Sequence, residues 1–248
     1  MISKILKRTA KGLVRKRNED NITVFDFIFK GEDWKCLAVA DGIGGHNAGD
    51  LASAIAIDIL QKILQKPNED YEITSLIKEI INQMNDTIYE RSKEDPDYDG
   101  MGTTLTMALI NRDNLHVGHV GDSRAYLLRD NNLERLTQDH SIVGELVRSG
   151  QITKEEAMKH PRKNLILQAI GLEEDLQIDY RLVNLSNGDY IILCTDGLSD
   201  LLSDDEISDV ILNFGEENAL DIYVDLIVER GAHDNYSIII AKWLGGDQ

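Results

Sequence analysis

The chain is poor in the two residue types that stiffen a protein from outside its core: 248 residues contain two Cys and three Pro. Two cysteines cannot build the dense disulfide framework of a small secreted domain, and neither has CxxC spacing or a nearby Cys/His set, which argues against a zinc site. Cys36 and Cys194 sit inside apolar, strand-like runs. They read as small core residues of a reducing cytoplasm, with a disulfide between them as the alternative. So little proline argues against long disordered linkers. No apolar run approaches the ~20 residues needed to span a membrane. The opening Met1-Ile-Ser-Lys-Ile-Leu-Lys-Arg lacks the apolar stretch of a secretory signal. A cytoplasmic protein without a membrane partner is therefore expected.

One acid-free stretch is strongly basic. Residues 1–17 carry Lys4, Lys7, Arg8, Lys11, Arg15, Lys16 and Arg17 and no Asp or Glu, although the formal net charge of the chain is −18. A fold this acidic repels nucleic acid phosphates, so no nucleic-acid partner is expected. The basic strip has two readings: a solvated edge strand, or a face turned toward a phosphorylated substrate. Hydrophobic residues make up 42% and charged residues 28%, as in an ordinary globular chain long enough for one sizeable core. A single catalytic domain over residues 1–248 is expected.

Residues 21–29 and 34–40 read as strands joined through Lys30-Gly31-Glu32-Asp33, being rich in β-branched and aromatic types. A glycine-dense loop follows from Asp41. Helical spacing then joins Ala48, Leu51, Ala52, Ile55, Ile59 and Ile63, and again Ile73, Leu76, Ile77, Ile80, Ile81, Met84 and Ile88. Residues 103–110, 114–120, 123–129 and 132–136 read as consecutive strands with turns at Asn111-Arg-Asp-Asn and Arg129-Asp-Asn-Asn. Residues 141–164 mix short helical pieces with charge, as a flap would. A buried strand at 190–195, helices at about 204–213 and 216–229, and a last strand at 236–243 complete the chain. Strands come in runs with helix pairs between them, which predicts antiparallel sheets and an α+β layered fold.

Four acidic motifs share one design, an Asp beside a residue that can turn sharply at a strand end. They are Ala40-Asp41-Gly42, Thr195-Asp196-Gly197, His233-Asp234-Asn235 and Gly121-Asp122-Ser123. A strand end holds the carboxylate rigidly, and Gly lets the backbone come close to a ligand. Taken singly, each Asp-Gly is a turn. If they converge, their repulsion requires a cation, and an oxygen-only ligand set suits Mg²⁺ or Mn²⁺.

The order of motifs resembles the type 2C (PPM) family of metal-dependent Ser/Thr protein phosphatases in its short bacterial form, from about Thr9 to Trp243. The segments that carry the resemblance are Gly12-Leu-Val-Arg15-Lys-Arg-Asn18-Glu19-Asp20, Val39-Ala-Asp41-Gly-Ile-Gly-Gly-His46-Asn-Ala-Gly49, Met101-Gly-Thr-Thr104, Val120-Gly-Asp122-Ser-Arg124, Leu136-Thr-Gln-Asp139-His140-Ser141, Cys194-Thr-Asp196-Gly-Leu-Ser-Asp200 and Asp234-Asn235. The resemblance implies a four-layer α-β-β-α sandwich. It implies an enzyme that hydrolyses phosphoserine and phosphothreonine monoesters by a metal-bridged hydroxide, without a covalent intermediate.

The same resemblance distributes roles. Asp41 is expected to bridge two core metals, Mn²⁺ or Mg²⁺, and Asp196 and Asp234 to complete one site. The Gly42 carbonyl, with Glu19 and Asp20, supports the other, and Asp122 marks a third, weaker metal. Arg15 is expected to clamp the phosphate, since a planar guanidinium binds two oxygens at once. His46 is the candidate general acid. His140 reads as structural, His233 as a near neighbour of a metal ligand or merely exposed, and Thr103 and Thr104 as supports of the sheet core. Ala10 stands where relatives commonly have Asp, a change expected to spare the metal positions. Expected partners are phosphorylated proteins, among them a Ser/Thr protein kinase and its substrates, approached by a monomer. A phosphoprotein-binding module without turnover and a sigma-factor-pathway regulator are the competing readings.

Overall fold

A computed structural model describes residues 2–44 and 48–245. Its strands are β1 (Ile2–Ala10), β2 (Asp20–Phe29), β3 (Glu32–Ile43), β4 (Gly102–Thr103), β5 (Leu105–Asn111), β6 (Asn114–Val120), β7 (Arg124–Arg129), β8 (Asn132–Arg135), β9 (Asp179–Asn184), β10 (Tyr190–Cys194) and β11 (Tyr236–Trp243). Its helices are α1 (Ala48–Gln65), α2 (Ile73–Glu94), α3 (Ile142–Arg148), α4 (Lys154–Met158), α5 (Asp196–Ser199) and α6 (Asp204–Glu229). Among the described residues the strands form a five-stranded sheet, β1-β11-β10-β7-β8, and a six-stranded one, β2-β3-β5-β6-β9 with β4 beside β3. Every pairing is antiparallel.

Alternation along the strands builds the layers. On β3, Leu37 and Val39 face the core between the sheets, while Cys36, Ala38 and Ala40 face α1 and α2. On β11, Ile239 and Ala241 face the same central core, while Ile238 and Ile240 face α6. Three apolar seams thus separate four layers, α-β-β-α, as expected. Cys36 lies in one outer seam and Cys194 in the other. The central core stands between them, both are free thiols, and the disulfide alternative falls. Burial pushes the Cys194 thiol up to about 12 and the Cys36 thiol higher still, so both stay protonated.

Two differences from the expected elements bear on the sheets. First, Gly121–Ser123 is no hairpin turn: β6 belongs to the six-stranded sheet and β7 to the other, so the chain changes sheets there. Gly121, at φ +110°, makes the passage; a Cβ on it would stand 2.5 Å from the Thr104 side chain. Second, β9 is an edge strand with a half-exposed, charged sequence, DYRLVN, and so carries no apolar alternation to read. The two helices expected at about 204–213 and 216–229 both form within α6, which breaks between them at Gly215, where φ is 72°. The basic segment is half edge strand: β1 closes one side of its sheet, and Ala10 pairs there with Tyr236 as an ordinary strand residue.

Candidate metal and phosphate site

The site forms where strand ends from both sheets meet. Asp20 opens β2 and Asp41 lies directly opposite it near the end of β3. Two carboxylates in directly opposed positions destabilise a sheet unless something neutralises them. Asp20 is buried, and its Oδ2 accepts from Thr195 Oγ1 at 2.9 Å and Ser237 Oγ at 2.7 Å. Those donors come from the other sheet, so Asp20 ties the two strand ends together. Asp41 is fixed through its backbone. Its N–H donates to Thr104 Oγ1 at 3.0 Å, and its carbonyl accepts from Thr104 N at 2.8 Å and Thr103 Oγ1 at 2.9 Å. Thr103 and Thr104 are therefore clamps on Asp41 rather than supports of the sheet core alone.

Glycine lets the neighbouring backbones touch. A Cβ on Gly42 would stand 2.0 Å from Gly49 O and 2.7 Å from Glu19 O, and Gly42 N donates to that Glu19 carbonyl at 3.1 Å. A Cβ on Gly197 would stand 1.9 Å from Asn235 O, so the start of α5, which carries Asp196, and the Asp234 turn can meet only across a bare Cα. Asn235 also accepts from Glu19 N at 2.8 Å, which joins the Glu19 backbone to the Asp234 turn.

Electrostatics show the convergence. Burial, then the charges of Asp20, Asp196, Asp122 and Asp234, push the Asp41 carboxyl well above its usual range. Burial, then Asp122, Asp200, Asp234 and Asp20, does the same to Asp196. Asp20 is pushed up to about 7, chiefly by burial, against the pull of its Ser237 and Thr195 donors. Asp122 is pushed up to about 7 by burial and by Asp139 and Asp200. Burial also raises Glu19. Three buried carboxylate oxygens, Asp20 Oδ1, Asp122 Oδ1 and Asp196 Oδ1, have no hydrogen-bond partner in the protein. Unsatisfied buried acceptors are costly, and a hard divalent cation is the ligand that satisfies several at once. The donor set therefore fits Mg²⁺ or Mn²⁺. As they stand, no three Asp, Glu, His or Cys side chains among the described residues form a closed coordination set.

Arg15 reaches in from the rim and donates through Nη2 to Asp234 Oδ2 at 2.6 Å, its own side chain 49% exposed. Asp234 Oδ1 accepts from Asn235 N at 2.7 Å. His46 lies outside the described residues. His140 is buried and seats the segment after β8: its Nδ1 accepts from Gly121 N at 3.2 Å, while its N–H donates to Gly121 O at 2.7 Å. His233 is exposed. Lys163 pairs with Asp200 at 2.7 Å and Lys154 with Asp204 at 2.8 Å, so residues 141–164 lean over a cleft of about 310 Å³ that reaches Asp122 and Asp196. These two lysines were not anticipated, because nothing in their local sequence marks a long-range ion pair.

Four layers with an acidic cluster at the strand ends define the class: an α-β-β-α sandwich protein with a cation-seeking cleft. The chain belongs to the protein phosphatase 2C family, whose model matches residues 14–235. It is 36% identical over 239 residues to the serine/threonine phosphatase stp of Listeria welshimeri, covering 95% of this chain and 94% of that one. It is 40% identical over 180 residues to the protein phosphatase PhpP of Streptococcus pneumoniae, covering 71% of this chain and 72% of that one. Among solved structures, the serine/threonine phosphatase Stp1 from Staphylococcus aureus superposes with a TM-score of 0.91 at 33% identity, covering 99% of this chain and 96% of that one. The catalytic domain of PstP in complex with two manganese ions superposes with a TM-score of 0.85 at 32% identity, covering 98% of this chain and 99% of that one.

Proposed function

We propose that the chain is a Mn²⁺- or Mg²⁺-dependent phosphoprotein phosphatase that hydrolyses phosphoserine and phosphothreonine. The observation that carries this reading is the convergence of Asp20, Asp41, Asp122 and Asp196, whose charges raise one another's pKa and three of which keep a carboxylate oxygen without a hydrogen-bond partner. In this reading Asp41, Asp196 and Asp234 would hold divalent ions, with the Gly42 carbonyl, Glu19 and Asp20 as further oxygen donors. Asp122, with Asp196, would hold a third, weaker ion. Divalent ions, when bound, supply positive charge against the phosphate oxygens and bring the pKa of water at the site toward neutrality.

The protein's own residues do the rest. Thr103 and Thr104 hold the Asp41 backbone, and Thr195 and Ser237 hold Asp20. Arg15 leaves Asp234 to bind two phosphate oxygens and stabilises the charge on them as the ester bond breaks. His46 gives a proton to the departing Ser or Thr oxygen. Neither cysteine takes part, since burial keeps both protonated.

Residues 141–164 act as a flap beside the cleft. The physiological partners are a Ser/Thr protein kinase and the proteins it modifies, met in the cytoplasm by a monomer. No helix among the described residues is long and apolar enough to cross a membrane. The test is release of phosphate from a phosphothreonine peptide by purified protein: release with Mn²⁺ and none after EDTA supports the reading, and release indifferent to chelation overturns it.

A further inference from the structure

The loop between β1 and β2 is fixed more firmly than a connection needs. One side chain ties both its ends: Asn235 Nδ2 donates to Lys11 O at 3.0 Å and to Arg17 O at 2.8 Å. Its middle is tied as well, by Leu13 N donating to Ala232 O at 2.9 Å. Gly12, at φ +69°, packs so tightly that a Cβ would stand 2.2 Å from Asp234 O. The loop is thus built onto the turn that carries Asp234, and it moves only if that turn moves.

What this rigid loop presents to solvent is unusual. Leu13 and Val14 are 65% and 64% exposed. Lys11 and Lys16 on either side are exposed and make no ion pair among the described residues, while Arg17 meets Asp50 only at 3.6 Å. A single exposed leucine requires no explanation. Here an adjacent apolar pair is held outward by hydrogen bonds, next to unpaired cations, on a protein of net charge −18. Arg15 belongs to the same loop, so a chain whose phosphate lies at Arg15 has these side chains as near neighbours in sequence. Two residues of extended chain span about 7 Å, enough to bring the flanking positions onto Leu13 and Val14.

We propose that residues 11–17 form a docking platform that selects phosphoprotein segments with an apolar and an acidic residue flanking the phosphorylated Ser or Thr. Leu13 and Val14 bury the apolar flank, and Lys11 and Lys16 attract the acidic one. The inference rests on the phosphatase reading above.

The test compares two phosphothreonine peptides on the Mn²⁺-loaded protein, one flanked by Leu and Glu, the other by Ser and Lys, with p-nitrophenyl phosphate as a substrate too small to reach the platform. The Leu/Glu peptide is expected to have a kcat/KM about tenfold higher. Raising the salt should shrink that preference, because exposed charges are screened. Leu13→Ser with Val14→Ser, and separately Lys11→Glu with Lys16→Glu, should each lower kcat/KM for the Leu/Glu peptide several-fold more than for p-nitrophenyl phosphate. Equal rates for both peptides, with p-nitrophenyl phosphate turned over, overturn the platform and leave the phosphatase standing. A preference that survives both double variants overturns it too. No hydrolysis of any of the three substrates overturns the phosphatase reading and the platform with it.

Discussion

Arg15 Nη2 donates to Asp234 Oδ2 at 2.6 Å, so the group assigned to phosphate rests on a group assigned to metal. One ion pair therefore links the two binding events. Arg15→Ala is expected to lower kcat/KM by about two orders of magnitude, the scale of losing one oriented donor to a developing oxyanion. Arg15→Lys should recover little, because an ammonium cannot grip two oxygens in the fixed fork of a guanidinium. Freeing Asp234 from its partner should tighten Mn²⁺ binding to Arg15→Ala by about two- to fivefold, as suits a largely exposed pair. Titration calorimetry and steady-state kinetics on the same variants check both halves.

The carboxylates make a prediction about pH. Asp20 and Asp122 are each raised to about 7 in the folded protein. A carboxyl whose folded pKa exceeds its unfolded value holds protons that the unfolded chain has already released. Its contribution to stability therefore falls as pH rises from about 4 to about 7. His119, which burial pushes down to about 4, acts with the opposite sign over much of that window, so a difference measurement is needed. Metal-free Asp122→Asn should melt above the metal-free wild type near pH 7, with the gap closing near pH 4. Mn²⁺ should raise the wild-type melting temperature more above about pH 7 than near pH 5, because the ion competes with protons for the same oxygens. A gap independent of pH would remove Asp122 from the coupled cluster.

Asp139 bears on stability away from the reaction. Burial alone would raise its pKa, but Arg124 and Arg135 hold it below the usual carboxylate range. Arg124 Nη2 stands 2.7 Å away and Arg135 Nη1 3.3 Å, and the Asp139 side chain is 6% exposed. Asp139→Ala leaves Arg124 nearly buried and unpaired, and should cost about 3–5 kcal/mol of unfolding free energy. Urea denaturation measures it; a loss below about 1 kcal/mol would show that the pair matters no more than an exposed one.

His46→Ala should slow phosphopeptide hydrolysis more than p-nitrophenyl phosphate hydrolysis, since nitrophenolate departs without a proton. Equal slowing of both substrates would remove His46 as the acid.

Much of this was legible in the sequence for definite reasons. Burial on both faces makes β3 and β11 near-continuous apolar runs that read as strands, and the glycines at 42 and 197 marked the close backbone approaches of the site. Helical spacing over Ile73 to Ile88 gave α2. What stayed hidden depends on distance along the chain. Thr195 and Ser237 reach Asp20 across 175 and 217 residues, and no local pattern announces such a bond. The change of sheets at Gly121 looked like a hairpin because two strands meet there at short spacing, whichever sheet each joins. The strand β9 was invisible because an edge strand with charged residues has no apolar face to display. The role of Thr103 and Thr104 as clamps emerged only once β4 was seen lying against β3.

The central claim is that Asp41, Asp196 and Asp234 are held together to take divalent ions. Crystals soaked in Mn²⁺ and measured for anomalous scattering test it most directly. Peaks are expected at coordination distance from the carboxylate of Asp41, with Asp196 and Asp234 around one of them, and are expected to vanish in Asp41→Asn. Crystals saturated with Mn²⁺ that show no peak beside Asp41, or the same peaks in Asp41→Asn, would contradict it.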